Sequence, residues 1–229
     1  MKKLKRLMFG FLFLLFTANS ASAALVIGFE AEINTNTGLF AIHSTSDSGV
    51  YISQVIFNLG SNMQFDTVAG GSASDPVDVT LQEAAGSVEF KNSNASYPLS
   101  SGTAVGYAGP LSSDILDGEK SATLNFNDYG AGEAWGLLVD LDKLNSNTNP
   151  GGSDMEGASI AVTFTDSQGK VLGTLTYAYT GPYGGNKKSF PSGMSKTVNP
   201  VPIPATVWLL GAGLIGLVGI RRRGDLFKK

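Results

Sequence analysis

The chain contains no cysteine and only one histidine, His43, among its 229 residues. The lack of cysteine excludes disulfide frameworks, thiol catalysis and cysteine-containing zinc sites. Arginine is also missing from residues 24–200, where seven lysines against eighteen carboxylates give a net charge of −11. Proteins that bind nucleic acid use lysine and arginine to neutralise phosphates, so we expect no nucleic-acid partner for this region.

The first 23 residues predict a secretory signal peptide. Four of residues 2–6 are basic, residues 7–16 are apolar or glycine, and Ala21-Ser22-Ala23 provides a small-residue cleavage site. The apolar run has about half of the roughly twenty residues that a membrane-spanning helix needs. We therefore expect export across the inner membrane, with signal peptidase as a partner and Ala24 as the first mature residue. An uncleaved N-terminal anchor is the alternative.

Residues 24–180 are expected to form one all-β domain, a single β-sandwich or jelly roll. Apolar residues alternate with polar ones, as in Leu25, Ile27, Phe29, Ala31 and Ile33, and this period of two places them on one face of a strand. Similar runs cover 51–59, 77–81, 88–90, 122–126, 135–141, 160–164 and 171–179. Residues 166–170 contain a glycine and predict a hairpin connection between the last two runs.

The composition changes after this domain. Residues 181–200 are rich in glycine, proline, serine, asparagine and lysine and contain few residues to bury. Such a composition predicts a flexible linker.

The C-terminus predicts a short transmembrane helix over residues 205–220. These sixteen residues would span about 24 Å as a helix, which is marginal for a bilayer. Trp208 is placed for one membrane interface, while Arg221, Arg222 and Arg223 favour a cytoplasmic position for the other end and for the tail, residues 224–229. The Gly211–Gly216 match to a G-x-G-x-x-G motif lies inside this apolar segment, so no cofactor is expected there.

This C-terminal segment, residues 201–223, resembles the PEP-CTERM sorting domain of Gram-negative bacteria. The features that carry the resemblance are Pro202-x-Pro204, the apolar helix entered near Trp208, and the closing arginine cluster. Between the two prolines this chain has Ile203, whereas the motif for which the family is named has glutamate. The resemblance implies a transient inner-membrane anchor, cleavage by an exosortase-like enzyme near the proline motif, and delivery to the cell surface or to extracellular polysaccharide. A permanent membrane anchor is the alternative.

No catalytic residues are assigned. His43 is alone, and no G-x-S-x-G motif accompanies it for a serine hydrolase. Glu30 with Glu32, and Asp140 with Asp142, each place two carboxylates about 7 Å apart on one strand face, the kind of spacing that a glycosidase uses. Eighteen acids make such pairs common, so we interpret both as parts of a solvated outer face.

Calcium is the one metal for which the sequence offers candidate ligands. Asp140 and Asp142 end a predicted strand, and the polar loop that follows contains Asp154 and Glu156. Carboxylate oxygens suit Ca²⁺, which takes six to eight oxygen ligands. The spacing differs from an EF-hand, so a hydrated loop with weak or no binding is the expected state.

Taken together, these features favour a non-enzymatic protein of the cell surface or exopolysaccharide matrix. A carbohydrate-binding jelly roll is one alternative. It would require an aromatic groove, for which the candidates are Tyr51, Tyr97, Tyr107, Tyr129 and Tyr183. A hydrolase is the second alternative, and it would require two carboxylates that converge in a cleft.

Overall fold

The computed structural model describes residues 24–35, 37–68, 80–144, 150–180 and 189–198. The predicted signal peptide and the predicted sorting segment, helix and tail lie outside these residues. The described strands belong to one compact unit, residues 25–198. Within the described ranges, no helix has the length and apolar character needed to cross a membrane.

The described residues form thirteen strands and one four-residue helix. In chain order the strands are β1 (Leu25–Asn34), β2 (Leu39–Ser44), β3 (Val50–Asn58), β4 (Met63–Asp66), β5 (Gln82–Glu83), β6 (Ser87–Phe90), β7 (Ala95–Pro98), β8 (Ser121–Tyr129), β9 (Ala134–Leu138), β10 (Asp140–Lys143), β11 (Ser159–Asp166), β12 (Val171–Ala178) and β13 (Ser189–Val198). Helix α1 (Leu111–Asp114) precedes β8, and a 3₁₀ turn covers Gly152–Met155.

Two larger sheets organise the unit. One has five strands in the order β13-β1-β2-β9-β5, and the other has four in the order β12-β11-β3-β8. Two small sheets pair β4 with β10 and β6 with β7. Every pairing of these strands is antiparallel. The predicted all-β class is therefore confirmed.

The side chains of the two larger sheets meet in one hydrophobic core. Ile27 and Phe29 of β1 are almost fully buried, as are Val55 of β3 and Leu124 of β8. Phe40 of β2 contacts Phe57 of β3 edge to face, with ring centroids 5.1 Å apart. In β1 and β8 the period-two pattern thus marks the face that packs into the core.

The hairpin between β11 and β12 is also confirmed. Its connection is closed by the Asp166 side chain, whose Oδ1 accepts hydrogen bonds from the backbone N–H groups of Gln168 and Lys170, both at 2.9 Å. Gly169 adopts a φ of 77°, which favours glycine over residues with a Cβ. The single strand predicted over 135–141 is instead two strands, β9 and β10, which belong to different sheets.

The prediction of a flexible linker over 181–200 is wrong for its second half. Strand β13 pairs with β1 at ten successive positions, from Leu25 opposite Val198 to Asn34 opposite Ser189. It lies at the edge of the sheet, and its exposed residues include Ser195, Lys196 and Thr197. An edge strand with polar exposed side chains needs no alternation of apolar residues, so the sequence pattern did not reveal it.

Candidate functional site

Three carboxylates meet at the small sheet formed by β4 and β10. Asp140 stands opposite Asp66 in the strand register, and Asp142 stands opposite Gln64. One carboxylate oxygen from each of Asp66, Asp140 and Asp142 lies within 4.8 Å of the others. Asp140 and Asp142 are 3 % and 6 % exposed, so the interpretation of this pair as a solvated outer face is wrong.

The other two predicted calcium ligands do not join this cluster. Asp154 Oδ2 accepts a hydrogen bond from the Gly151 N–H at 2.8 Å, and Asp154 Oδ1 lies 3.3 Å from Lys143 Nζ. Glu156 is exposed. The predicted set of Asp140, Asp142, Asp154 and Glu156 is therefore corrected: in the described part of the chain, the oxygens placed to share a cation come from Asp66, Asp140 and Asp142.

The sequence pattern does not identify Asp66 as a candidate metal ligand. Strand β4 has only four residues, and its partner β10 is far away in the chain. Backbone groups fix two of the carboxylates, since Asp66 Oδ1 accepts the Val68 N–H at 2.9 Å and Asp140 Oδ1 accepts the Leu141 N–H at 2.7 Å. Oxygen donors of this kind could hold a hard cation such as Ca²⁺.

The second pair of carboxylates, Glu30 and Glu32, is also buried rather than solvated. The hairpin of β6 and β7 covers this face of β1 and β2, and a small apolar cluster holds it there. The members of that cluster are Ala41, Val88, Phe90 and Ala134. Glu32 Oε1 lies 3.7 Å from Lys91 Nζ, and its side chain is 4 % exposed.

The only histidine lies under the same hairpin. His43 Nδ1 is 3.3 Å from Glu30 Oε2, and Asn92 Nδ2 donates to Glu30 Oε1 at 3.4 Å. The imidazole stacks on the ring of Tyr97. Burial lowers the pKa of His43, and the neighbouring Glu30 carboxylate opposes this shift without cancelling it. His43 and Glu30 are in contact with each other and are buried.

An open cleft of about 670 Å³ lies beside α1. Tyr107 lines it, and the Tyr107 ring contacts Phe126 and Trp135 at centroid distances of 5.6 and 5.4 Å. The Tyr107 hydroxyl donates to Asp114 Oδ2 at 2.6 Å. Burial, together with this carboxylate, raises the pKa of Tyr107, so the phenol stays protonated.

The backbone before Tyr107 is shaped by a glycine. Gly106 has a φ of 63°, and a Cβ there would lie 2.7 Å from the backbone nitrogen of Asp128. This close approach allows Tyr107 to form a β-bridge with Phe126. Gly106 therefore helps to fix the position of the Tyr107 ring at the cleft.

The rest of the cleft lining mixes hydroxyl, carboxylate and apolar groups. Its remaining members are Thr67, Thr80, Leu81, Glu83, Gly109, Pro110, Leu111, Ser112, Ile115, Leu116 and Asp117. No lysine or arginine is among these described lining residues. Leu116 is 51 % exposed and gives the cleft an accessible apolar surface.

The four described tyrosines among the five proposed for a groove do not converge. Tyr107 lines the cleft, whereas Tyr129 is fully buried and Tyr97 stacks on His43. Tyr51 is half-buried on β3 and is not part of the cleft lining. Tyr183 lies outside the described residues. Of the four candidates that the structure describes, only Tyr107 lines the cleft.

The sorting residues are not among those that the structure describes. These are Ala21, Ala23, Pro202, Pro204, Trp208, Arg221, Arg222 and Arg223. A scan against protein-family models found no match, and neither did searches of curated proteins and of solved structures.

Proposed function

We propose that this chain is an exported, non-enzymatic protein of the cell surface or exopolysaccharide matrix, sorted by an exosortase-type system. The terminal sequences of the chain support this function. A signal peptide precedes Ala24, and a proline motif, an apolar segment and an arginine cluster follow residue 200 in the order that the PEP-CTERM resemblance requires. Signal peptidase and an exosortase-like enzyme are the partners that these segments imply, with the inner membrane as a temporary location.

The pairing of Leu25 with Val198 is the observation that best supports processing at both ends. These residues are direct partners at one end of the β1–β13 ladder, so the compact unit begins and ends at neighbouring positions. Cleavage after Ala23 and near Pro204 would remove no residue of any described strand. Cleavage within β13 would instead remove part of the sheet, so the processing point belongs after Val198.

The fold proposed for the exported domain is a β-sandwich. The five-stranded and four-stranded sheets share one core, to which Phe40 and Ile42 of β2 and Ile52 and Phe57 of β3 contribute. Two antiparallel sheets with a common core are the general plan of sandwiches, a fold that many binding and surface modules use.

The positions of the carboxylates favour a structural or binding role over hydrolysis. A glycosidase needs two carboxyl groups that flank a bond of the substrate. Glu30 and Glu32 are covered by the β6–β7 hairpin, and Glu30 contacts His43. Asp140 and Asp142 are buried beside Asp66. Neither pair presents two accessible carboxylates to a polymer chain.

Mass spectrometry of the mature protein tests the sorting proposal. The full chain, expressed in a bacterium that has a matching exosortase, should be recovered from the surface or medium as a form that begins at Ala24 and ends near Pro204. The double substitution Pro202→Ala with Pro204→Ala should leave the C-terminus intact and the protein in the inner membrane. Pro200→Ala is the matched control and should be processed normally. Residues 208–229 still attached to the mature wild-type protein would favour the permanent anchor.

A further inference from the structure

We propose that the cleft beside α1 binds a neutral polysaccharide, with the Tyr107 ring as its stacking platform. This inference rests on the proposed matrix location and names the ligand class that the domain would hold there. The cleft is open at the surface, as binding to a long polymer requires. Its volume of about 670 Å³ falls within the range typical of ligand sites.

The lining fits the chemistry of a sugar ring. A sugar has apolar C–H faces and a rim of hydroxyl groups, so its site needs an apolar platform beside hydrogen-bonding groups. Tyr107 and Leu116 supply apolar surface, while Thr67, Thr80 and Ser112 supply hydroxyls that both donate and accept. Neighbouring apolar and polar groups of this kind are what fix an amphipathic ligand in place.

The platform is held in position before any ligand arrives. The Tyr107 ring rests against Phe126 and Trp135, and its hydroxyl is tied to Asp114. Gly106 fixes the backbone that carries the ring. A side chain that is already immobilised loses little conformational entropy on binding, which favours affinity.

The charge of the cleft selects among polysaccharides. Glu83 and Asp117 line it, Asp114 lies next to it, and no described lining residue carries a positive charge. Polymers with carboxylate, sulfate or phosphate groups would meet repulsion without a compensating cation. A neutral glycan avoids this repulsion and can donate its hydroxyl protons to the carboxylate oxygens.

Affinity gel electrophoresis of the full-length protein in mild detergent tests this assignment. The probes are soluble dextran and a soluble β-glucan as neutral polymers, alginate as an anionic polymer and polylysine as a cationic polypeptide. We expect at least one neutral polymer to retard the protein and alginate to leave its migration unchanged. Retardation by neither neutral polymer, or stronger binding to alginate or polylysine, would overturn the proposal.

Variants locate the binding in the cleft. Tyr107→Ala should weaken binding by about tenfold or more, as expected for the loss of a central aromatic contact. Leu116→Ala and the pair Thr80→Ala with Ser112→Ala change exposed cleft residues and should each weaken binding several-fold, even if Tyr107→Ala fails to fold.

Val171→Ala is the matched control, because Val171 is 60 % exposed on β12 and is not part of the cleft lining. Equal affinities in all folded variants would reject the cleft. The processing of the C-terminus is measured separately, so failure here would leave the sorting proposal standing.

Discussion

The hydroxyl of Tyr129 lies between two strands and accepts a hydrogen bond from the backbone N–H of Trp135 at 3.0 Å. The same hydroxyl donates to the carbonyl oxygen of Ile42, which is the register partner of Trp135. A side chain from the four-stranded sheet therefore joins β2 to β9 in the five-stranded sheet. Burial of the phenol raises its pKa, so the hydroxyl keeps the proton that it donates.

We expect Tyr129→Phe to destabilise the protein by about 1–3 kcal/mol. The substitution would leave a buried N–H and a buried carbonyl without the hydroxyl that joins them, and such losses carry the cost of desolvation. Tyr177→Phe is the control, because Tyr177 is half-buried on β12 and packs at the edge of the core. Urea denaturation of both variants measures the difference, and equal midpoints would contradict this role for Tyr129.

The buried His43 predicts that stability falls in mild acid. Its pKa in the folded protein is below the ordinary value of 6.5, chiefly because burial disfavours the charged form. The unfolded chain therefore binds more protons as the pH drops through this range, and stability decreases with it. The stabilising contribution is complete above pH 6.5 and is lost as the pH falls through the folded pKa.

Thermal unfolding between pH 7.5 and pH 5 tests this dependence on His43. Glu30 of β1 lies 3.3 Å from the imidazole, and Tyr97 of β7 stacks on it. The ion pair of Glu32 with Lys91 lies further along the same face of β1. The variant His43→Gln removes the titration and should show a smaller decrease in Tm over this interval than the wild type. A decrease of the same size in both proteins would assign the effect to other groups.

Much of the fold can be predicted from the sequence where one strand face is apolar and the other polar. Strands β1, β8 and β11 have this pattern because one face of each enters the core, whereas an irregularity between Ile52 and Gln54 interrupts it in β3. Strand β2 has both faces buried, since the β6–β7 hairpin covers its outer side, and its Leu39-Phe40-Ala41-Ile42 run carries no alternation. The same cover explains why Glu30 and Glu32 were wrongly assigned to a solvated surface.

The candidate sites were less predictable because they depend on contacts distant in sequence. Asp66 meets Asp140 only through the register of two four-residue strands. Tyr107 could be named as one of several aromatic candidates, but its support by Phe126 and Trp135 depends on packing between strands. Contacts between residues that are distant in the chain produce no periodic pattern in a single sequence.

Strand β13 predicts where the chain can be shortened. A protein that ends at Pro200 keeps the complete β1–β13 ladder, whereas one that ends at Lys188 loses it and exposes the edge of β1. We expect the longer form to retain the Tm of the secreted protein. The shorter form should lose at least about 3 kcal/mol, which corresponds to a Tm lower by roughly 6–12 °C for a domain of this size. Similar Tm values for the two forms would show that β13 contributes little.

The cluster of Asp66, Asp140 and Asp142 predicts a response to calcium that depends on specific residues. Three carboxylate oxygens lie within 4.8 Å of one another, and two of the residues are buried, an arrangement in which like charges would repel one another. A divalent cation between them would relieve that repulsion and would stabilise the folded state in proportion to its binding. We therefore expect millimolar Ca²⁺ to raise Tm relative to chelator by a few degrees.

Substitutions can distinguish calcium binding at this cluster from calcium binding at the loop that contains Asp154. Asp66→Asn should remove the response to Ca²⁺, because it takes away a ligand that only the folded register supplies. Asp154→Asn should preserve the response, since Asp154 bonds with Gly151 and Lys143 away from the three clustered oxygens. Differential scanning fluorimetry with Ca²⁺, with Mg²⁺ and with chelator measures each shift. If Asp154→Asn abolishes the response while Asp66→Asn retains it, the cation is held by the loop and this cluster is not its site.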